Sequence, residues 1–206
     1  MLDPSAIFTG LFVTLGPLKT LGPFAQRTRE VSPSAVRQIA AWAFIVATAG
    51  SVGGGLIGRA LLTKWHVSLP ALMLTGGIVF FMVALRQLLE QYEPPRPPVS
   101  AETLPTSPLA AACRLVFPIV LTPYGIAAVI ALLASSEDTA RTVLILGLLT
   151  LVMCLDLLAM LFARFILRGF AIIVLQVLGA VLAVLQVALS VQFMLLGLRS
   201  LSVIPG

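Results

Sequence analysis

Two charges stand well inside the apolar runs of this chain, Lys19 and Asp156. An ionised side chain at the centre of a bilayer costs about 2.5–3.5 kcal/mol on insertion scales, so each calls for a partner or for water. Lys19 lies in GPLKTLGPF, residues 16–24, with Gly16, Pro17, Gly22 and Pro23 around it. FPIVLTPYG, residues 117–125, offers a similar pattern in Pro118, Pro123 and Gly125. A proline inside a helix removes one N–H and frees the carbonyl four residues earlier. In hydrocarbon such orphaned groups persist only when buried in protein or lining a wet cavity. Paired breaks match the discontinuous helices that form solute sites near the membrane midplane, where half-helix N-termini face anionic groups. The competing reading is two structural kinks absorbed by packing.

Lys19 itself admits two readings. Its ammonium can sit at a cavity and meet a solute carboxylate, with Asp156 as the resting counter-ion and a candidate for ion coupling. Alternatively it snorkels to the nearby interface, because the first span ends a few residues later. Thr14, Thr20, Thr75, Thr122 and Tyr124 lie near the breaks, and their hydroxyls can replace lost backbone hydrogen bonds or contact a small polar ligand. Gln176, Gln186 and Gln192 read first as interhelical hydrogen-bonding residues.

Enzymatic chemistry finds little footing. His66 is the only histidine, close to a span end, and no Ser/His/Asp set or His-Cys-Glu metal cluster is present. Cys113 and Cys154 both fall in the second half, whereas a membrane thiol–disulfide carrier needs a redox cysteine in each half. They read as small buried hydrophobes, with no disulfide framework. GGGLIGRA, residues 53–60, imitates a phosphate loop but lacks its Lys and Ser/Thr. The surrounding GSVGGGLIG places Gly50, Gly54 and Gly58 at four-residue spacing, a face for close helix packing. No enzyme activity, cofactor or metal is expected.

The elements that must position these residues are membrane spans. Of 206 residues, 59% are hydrophobic and 10% charged, against about 25% charged in a soluble domain. Mean hydropathy is +1.09. Six apolar segments, about 5–25, 38–62, 69–90, 109–134, 140–165 and 170–199, are long enough to cross a bilayer as helices. The start, MLDPSAIF, has no positive n-region, so the first segment reads as a retained span rather than a signal peptide. YEPPRPPVSAETLPTSP, residues 92–108, is a proline-rich, water-exposed linker. It divides residues 1–91 from 109–206, three spans each. An odd number of spans per half makes related halves an inverted repeat. Pro17 with Pro118, and Gly77 with Gly179, recur at a nearly constant offset and support that relation.

The net charge of +5 suggests no nucleic-acid partner, because twelve of the thirteen Lys and Arg sit near span ends or in loops. Arg27, Arg29, Arg37, Arg86, Arg96, Arg114, Arg164 and Arg168 fall on one side. Arg59, Lys64, Arg141 and Arg199 fall on the other. The excess places the first set in the cytoplasm and both termini outside.

With these motifs placed, the sequence resembles the MarC family, also classed as six-span neutral amino acid transporters. The most specific stretch is VSLPALMLTGGIVFFMVALRQLL, residues 67–89, similar to the family's Ile-Ser-x-Pro-x-Leu-x-x-x-Gly-Gly segment and the helix after it. VQFMLLGL, residues 191–198, is similar to its closing pattern. GPLKTLGPF resembles its Asn-Pro-Leu-Gly-x-x-Pro-x-Phe segment, and FPIVLTPYGI its Pro-x-x-x-Gly-Pro-Gly-x-Ile segment. The departures fall on those last two. The family's Asn is Gly16 here, its first-motif Gly is Lys19, and Thr122 and Tyr124 replace the glycines around Pro123. The resemblance implies export or uptake of small neutral amino acids such as alanine or glycine, through a site that this chain has altered.

The expectation is therefore an all-α polytopic membrane protein, of two inverted three-helix repeats with broken first and fourth helices, in a bacterial inner membrane. As a secondary transporter it would work by alternating access on a small carboxylate-bearing solute, driven by an H⁺ or Na⁺ gradient. An oligomer is compatible with this. The alternative is a non-transporting membrane assembly or lipid-binding protein. The candidate solute-binding residues are Gly16, Pro17, Lys19, Thr20, Gly22, Pro23, Thr75, Pro118, Thr122, Pro123, Tyr124 and Gly125, with Asp156 as ion-coupling or charge partner.

Overall fold

Apolar length and proline placement set the helices. The computed structural model describes residues 3–90, 105, 107–136, 138–166 and 171–201. The linker 92–108 falls almost wholly outside the described residues, as do Arg96, Arg168 and the side chains of Pro118 and Gln176. Helices α1 (Pro4–Leu15) and α2 (Pro17–Arg27) precede the long α3 (Pro33–Lys64) and α4 (Leu69–Glu90). Then follow α5 (Pro108–Leu115), a π-helical turn (Val116–Val120), α6 (Pro123–Ala134), α7 (Thr139–Ile166) and α8 (Ala171–Ser200). Among the described residues all regular structure is helical.

Helices α1, α2, α3, α5 and α6 begin with proline at or beside the first helical position. Its missing N–H would be unpaired there in any case. Helix α3 ends at Trp65, and His66 takes a left-handed φ of 54°. Val67 N–H then reaches the Leu62 carbonyl at 3.0 Å, closing the helix end before α4 begins.

Among the described residues five helical stretches are long and apolar enough to cross a membrane: Pro4–Arg27, Pro33–Lys64, Leu69–Arg86, Thr139–Ile166 and Val177–Ser200. The protein is thus a multi-pass membrane protein. The fourth segment, expected as a broken helix, is divided among α5, the π turn and the 12-residue α6.

The main core joins α1, α2, α3, α5, α6 and α7 around residues such as Leu11, Leu15, Ala43, Leu115, Leu149 and Met153. The glycine face of α3 receives α6. A Cβ at Gly55 would come within 2.6 Å of Val129, and one at Gly58 within 2.3 Å of Ile130. Helices α4 and α8 pack chiefly on each other. Gly77 admits Met194 and the Ser190 carbonyl, while Gly197 admits Leu74 and the Pro70 carbonyl. A separate small cluster of Phe80, Ala84 and Tyr124 connects this pair to α6.

Arginines tie the helix ends. Arg164 Nη2 on α7 donates to the Thr28 and Val31 carbonyls between α2 and α3. Near the opposite end of α3, Arg59 donates to the Ser136 carbonyl at 3.3 Å and the Thr142 hydroxyl at 3.4 Å.

Candidate functional site

Each break is an extended residue followed by a proline that starts the next helix. Gly16 has φ −81° and ψ 173° before Pro17, and Thr122 has φ −90° and ψ 148° before Pro123. Pro17 therefore corresponds in position to Pro123, not to Pro118, which lies within the π turn. Pro23 lies inside α2 and does not bracket the break. At Gly16 the chain turns so tightly that a Cβ would sit 2.0 Å from the Phe12 carbonyl oxygen. A side chain there would force the backbone to move.

The end of α1 leaves carbonyls without intrahelical donors. Pro17 has no N–H for the Val13 carbonyl, and Gln186 of α8 supplies one through Nε2 at 3.1 Å. Lys19 Nζ turns back from α2 to donate to the Thr14 carbonyl and to Thr122 Oγ1 at 3.3 Å. Its ammonium thus faces the break rather than the end of α2, and it complements the negative end of α1. Thr122 Oγ1 also accepts from Gly125 N–H at 3.2 Å and donates to the Thr14 carbonyl at 3.5 Å. One hydroxyl thereby caps α6 and fastens it to α1. A Cβ at Gly125 would fall 2.3 Å from Leu15 Cδ2, so that glycine permits the crossing.

Lys19 Nζ also lies 5.2 Å from the centre of the Tyr124 ring, a cation–π distance. Tyr124 stacks on Phe80, with centroids 4.5 Å apart and planes inclined by 12°. The Tyr124 hydroxyl is buried and has no hydrogen bond of good geometry among the described residues.

On the other side of α2, Thr20 Oγ1 lies 3.0 Å from the Pro17 carbonyl and 2.9 Å from Asp156 Oδ1. With Asp156 ionised, the hydroxyl proton is best used on the carboxylate. Asp156 is 1% exposed, and among the described residues its Oδ2 has no partner. Lys19 and Asp156 make no direct ion pair among the described residues. They are coupled through adjacent residues of α2, each committed to different groups.

Of the sequence candidates, Gly16, Pro17, Lys19, Thr20, Thr122, Pro123, Tyr124, Gly125 and Asp156 gather around the two breaks. Thr75 does not. It is exposed and bonds the Ala71 carbonyl of its own helix at 2.9 Å. Gly22 has open space beside it and Pro23 is exposed, further along α2. Phe80 and Gln186 join the site although neither was a candidate. Phe80 carried no signal, since an aromatic in an apolar span looks like any core residue. Gln186 was legible as an interhelical donor, but not its target.

A cleft lined by Thr14, Gly76, Phe80, Tyr124, Ala127 and Phe193 opens beside the break. Its volume is about 10 Å³, on the order of what one water molecule requires. Among the described residues no group of His, Cys, Asp or Glu is arranged to hold a metal.

The model of a family described as MarC family integral membrane protein matches residues 5–202. The chain belongs to the MarC family. The match covers both breaks, all the described helices from Ser5 onward, and Asp156. No curated protein and no solved structure matches the chain. Against the family pattern set out above, the Gly16 backbone of this MarC chain has no room for an asparagine unless Phe12 moves.

Proposed function

We propose that this MarC protein is a secondary transporter of small neutral amino acids or similar carboxylate-bearing solutes. The observation that carries the reading is the meeting of two helix breaks at Thr14, Lys19 and Thr122, beside a buried carboxylate with one oxygen unpartnered among the described residues. Broken helices of this kind place backbone polarity where hydrocarbon would otherwise forbid it. The N-terminus of α2 has no side-chain cap, and with the Lys19 ammonium it suits a carboxylate. Asp156 Oδ2 suits an ammonium or a coupling proton. A zwitterion is the solute class that uses both.

Alternating access would operate on six spans arranged as two inverted halves in a bacterial inner membrane, with both termini periplasmic. The order of elements supports this, since each half has a broken helix followed by two long ones. So does the reciprocal packing: α3 lies against α5 and α6, while α7 lies against α1 and α2. The third long helices of each half, α4 and α8, pack together.

The test is uptake of labelled alanine, glycine and serine into proteoliposomes under imposed H⁺ or Na⁺ gradients. Gradient-dependent accumulation of at least one is expected. Folded, reconstituted protein that moves none of them under either gradient would overturn the reading.

A further inference from the structure

A second cavity lies away from the breaks, where α2 ends, α3 begins and α7 approaches its last turn. Its volume is about 310 Å³, within the size range of small-ligand sites. Phe24, Val36, Met160 and Ala163 form an apolar floor, and Arg37 and Arg164 supply the charge. Its flank carries the exposed Leu161 and Phe162, with exposed Phe165 following on α7. In a membrane protein, exposed apolar side chains on a spanning helix meet lipid. The cavity is therefore apolar within, cationic at a helix-end level, and open on a face that lipid covers.

The arginines retain donors for a ligand. Arg164 uses Nη2 on the Thr28 and Val31 carbonyls, and among the described residues its Nε and Nη1 have no partner. Among the described residues Arg37 has no hydrogen-bond or ion-pair partner. Arg27 and Arg29 add charge at the adjacent end of α2, opposed there by the single acid Glu30. Two guanidinium groups above an apolar pocket suit a phosphate oxyanion through paired N–H donors, with a hydrocarbon tail running along the flank. Basic pockets between helices at a membrane face hold anionic headgroups by this chemistry.

We infer that the cavity between α2, α3 and α7 binds the phosphate of an anionic phospholipid, held by Arg37 and Arg164. The site is independent of solute transport and rests only on the protein's place in the membrane.

The full-length protein in neutral detergent tests this by thermal unfolding in the presence of phosphatidylglycerol, phosphatidylcholine or inorganic phosphate. Phosphatidylglycerol should raise the midpoint by about 5 °C, as expected for a ligand well above its dissociation constant. Phosphatidylcholine and phosphate should leave it in place. Arg37→Gln should keep the lipid-free midpoint and weaken the apparent affinity for phosphatidylglycerol by about tenfold, the loss of one charge-assisted contact. The double variant Arg27→Gln/Arg29→Gln, outside the cavity, should retain the response. An unchanged response in Arg37→Gln would overturn the site. Equal protection by inorganic phosphate would replace the lipid with a free anion. Equal loss in the double variant would reduce the effect to general surface charge.

Discussion

Thr20 and Asp156 lie 2.9 Å apart, Oγ1 to Oδ1, and this contact joins the start of α2 to the middle of α7. The second carboxylate oxygen has no partner among the described residues, so the pair is half-satisfied there. A buried polar group left unpaired costs free energy in the folded protein and is available to a ligand.

Replacing each member of that pair should have opposite consequences for stability. Thr20→Val removes the only hydrogen-bond partner of Asp156 among the described residues and should destabilise by about 1–3 kcal/mol. Asp156→Asn keeps an acceptor for Thr20 while removing a buried charge, so it should fold as well as the parent or better. Uptake should nevertheless fall at least about tenfold in Asp156→Asn, because the transport reading needs the charge there. Thermal unfolding and proteoliposome uptake of both variants check this. Full transport by Asp156→Asn would remove the carboxylate from the mechanism.

Lys19→Met preserves the length of the side chain and withdraws the ammonium from the Thr14 carbonyl. The Thr122 hydroxyl remains there at 3.5 Å. The expected cost is about 1–2 kcal/mol, that of a charged group at a helix C-terminus together with its hydrogen bond. If Lys19 serves only as a cap, uptake per folded molecule stays at the parental level. If it also meets the solute carboxylate, KM rises, and kinetics on folded protein tell the two apart.

Tyr124→Phe separates packing from recognition at the same place. The ring stack with Phe80 is retained, and a buried hydroxyl with no hydrogen bond of good geometry among the described residues is removed. Stability should stay level or rise by about 1 kcal/mol. A loss of uptake in a protein that melts no lower than the parent would assign the hydroxyl to the solute.

Glycines provide a graded test of the break geometry. Gly16→Ala meets the Phe12 carbonyl, a backbone atom that cannot rotate away, and should cost about 3 kcal/mol or prevent folding. Gly125→Ala meets mainly the flexible end of Leu15, so its cost should be smaller and partly relieved in the double variant with Leu15→Ala. Gly179→Ala, with nothing within 4 Å of the added atom, should be neutral or slightly stabilising. Melting temperatures in this order would support the break as drawn; equal effects at all three positions would contradict it.

Five of the expected spans were legible because burial in lipid demands long apolar runs, and hydropathy reads those directly. The existence of both breaks was legible too, since few residues besides proline and glycine interrupt a helix. Their placement was less so. Pro17 and Pro23 looked like brackets, yet proline at a first helical position is harmless, and Gly16 carries the turn. Lys19 drew attention to Asp156 because opposite charges are the obvious partners in a sequence. The structure gives it a carbonyl five residues earlier, a contact that depends on the backbone turning back on itself. Thr75 resembled its fellow threonines by type and position, but which side of α4 faces the site follows from its packing with α8.

The pairing of α4 with α8 has a mechanical consequence. These two helices share their own glycine-lined seam, while the main core is assembled without them. Among the described residues they form a panel that meets α6 through the stack of Phe80 on Tyr124. Swinging that panel would part a small apolar latch and uncover the cleft. The Lys19 and Thr122 caps lie on α1, α2 and α6 and would stay seated, while Gln186 would have to let go of Val13.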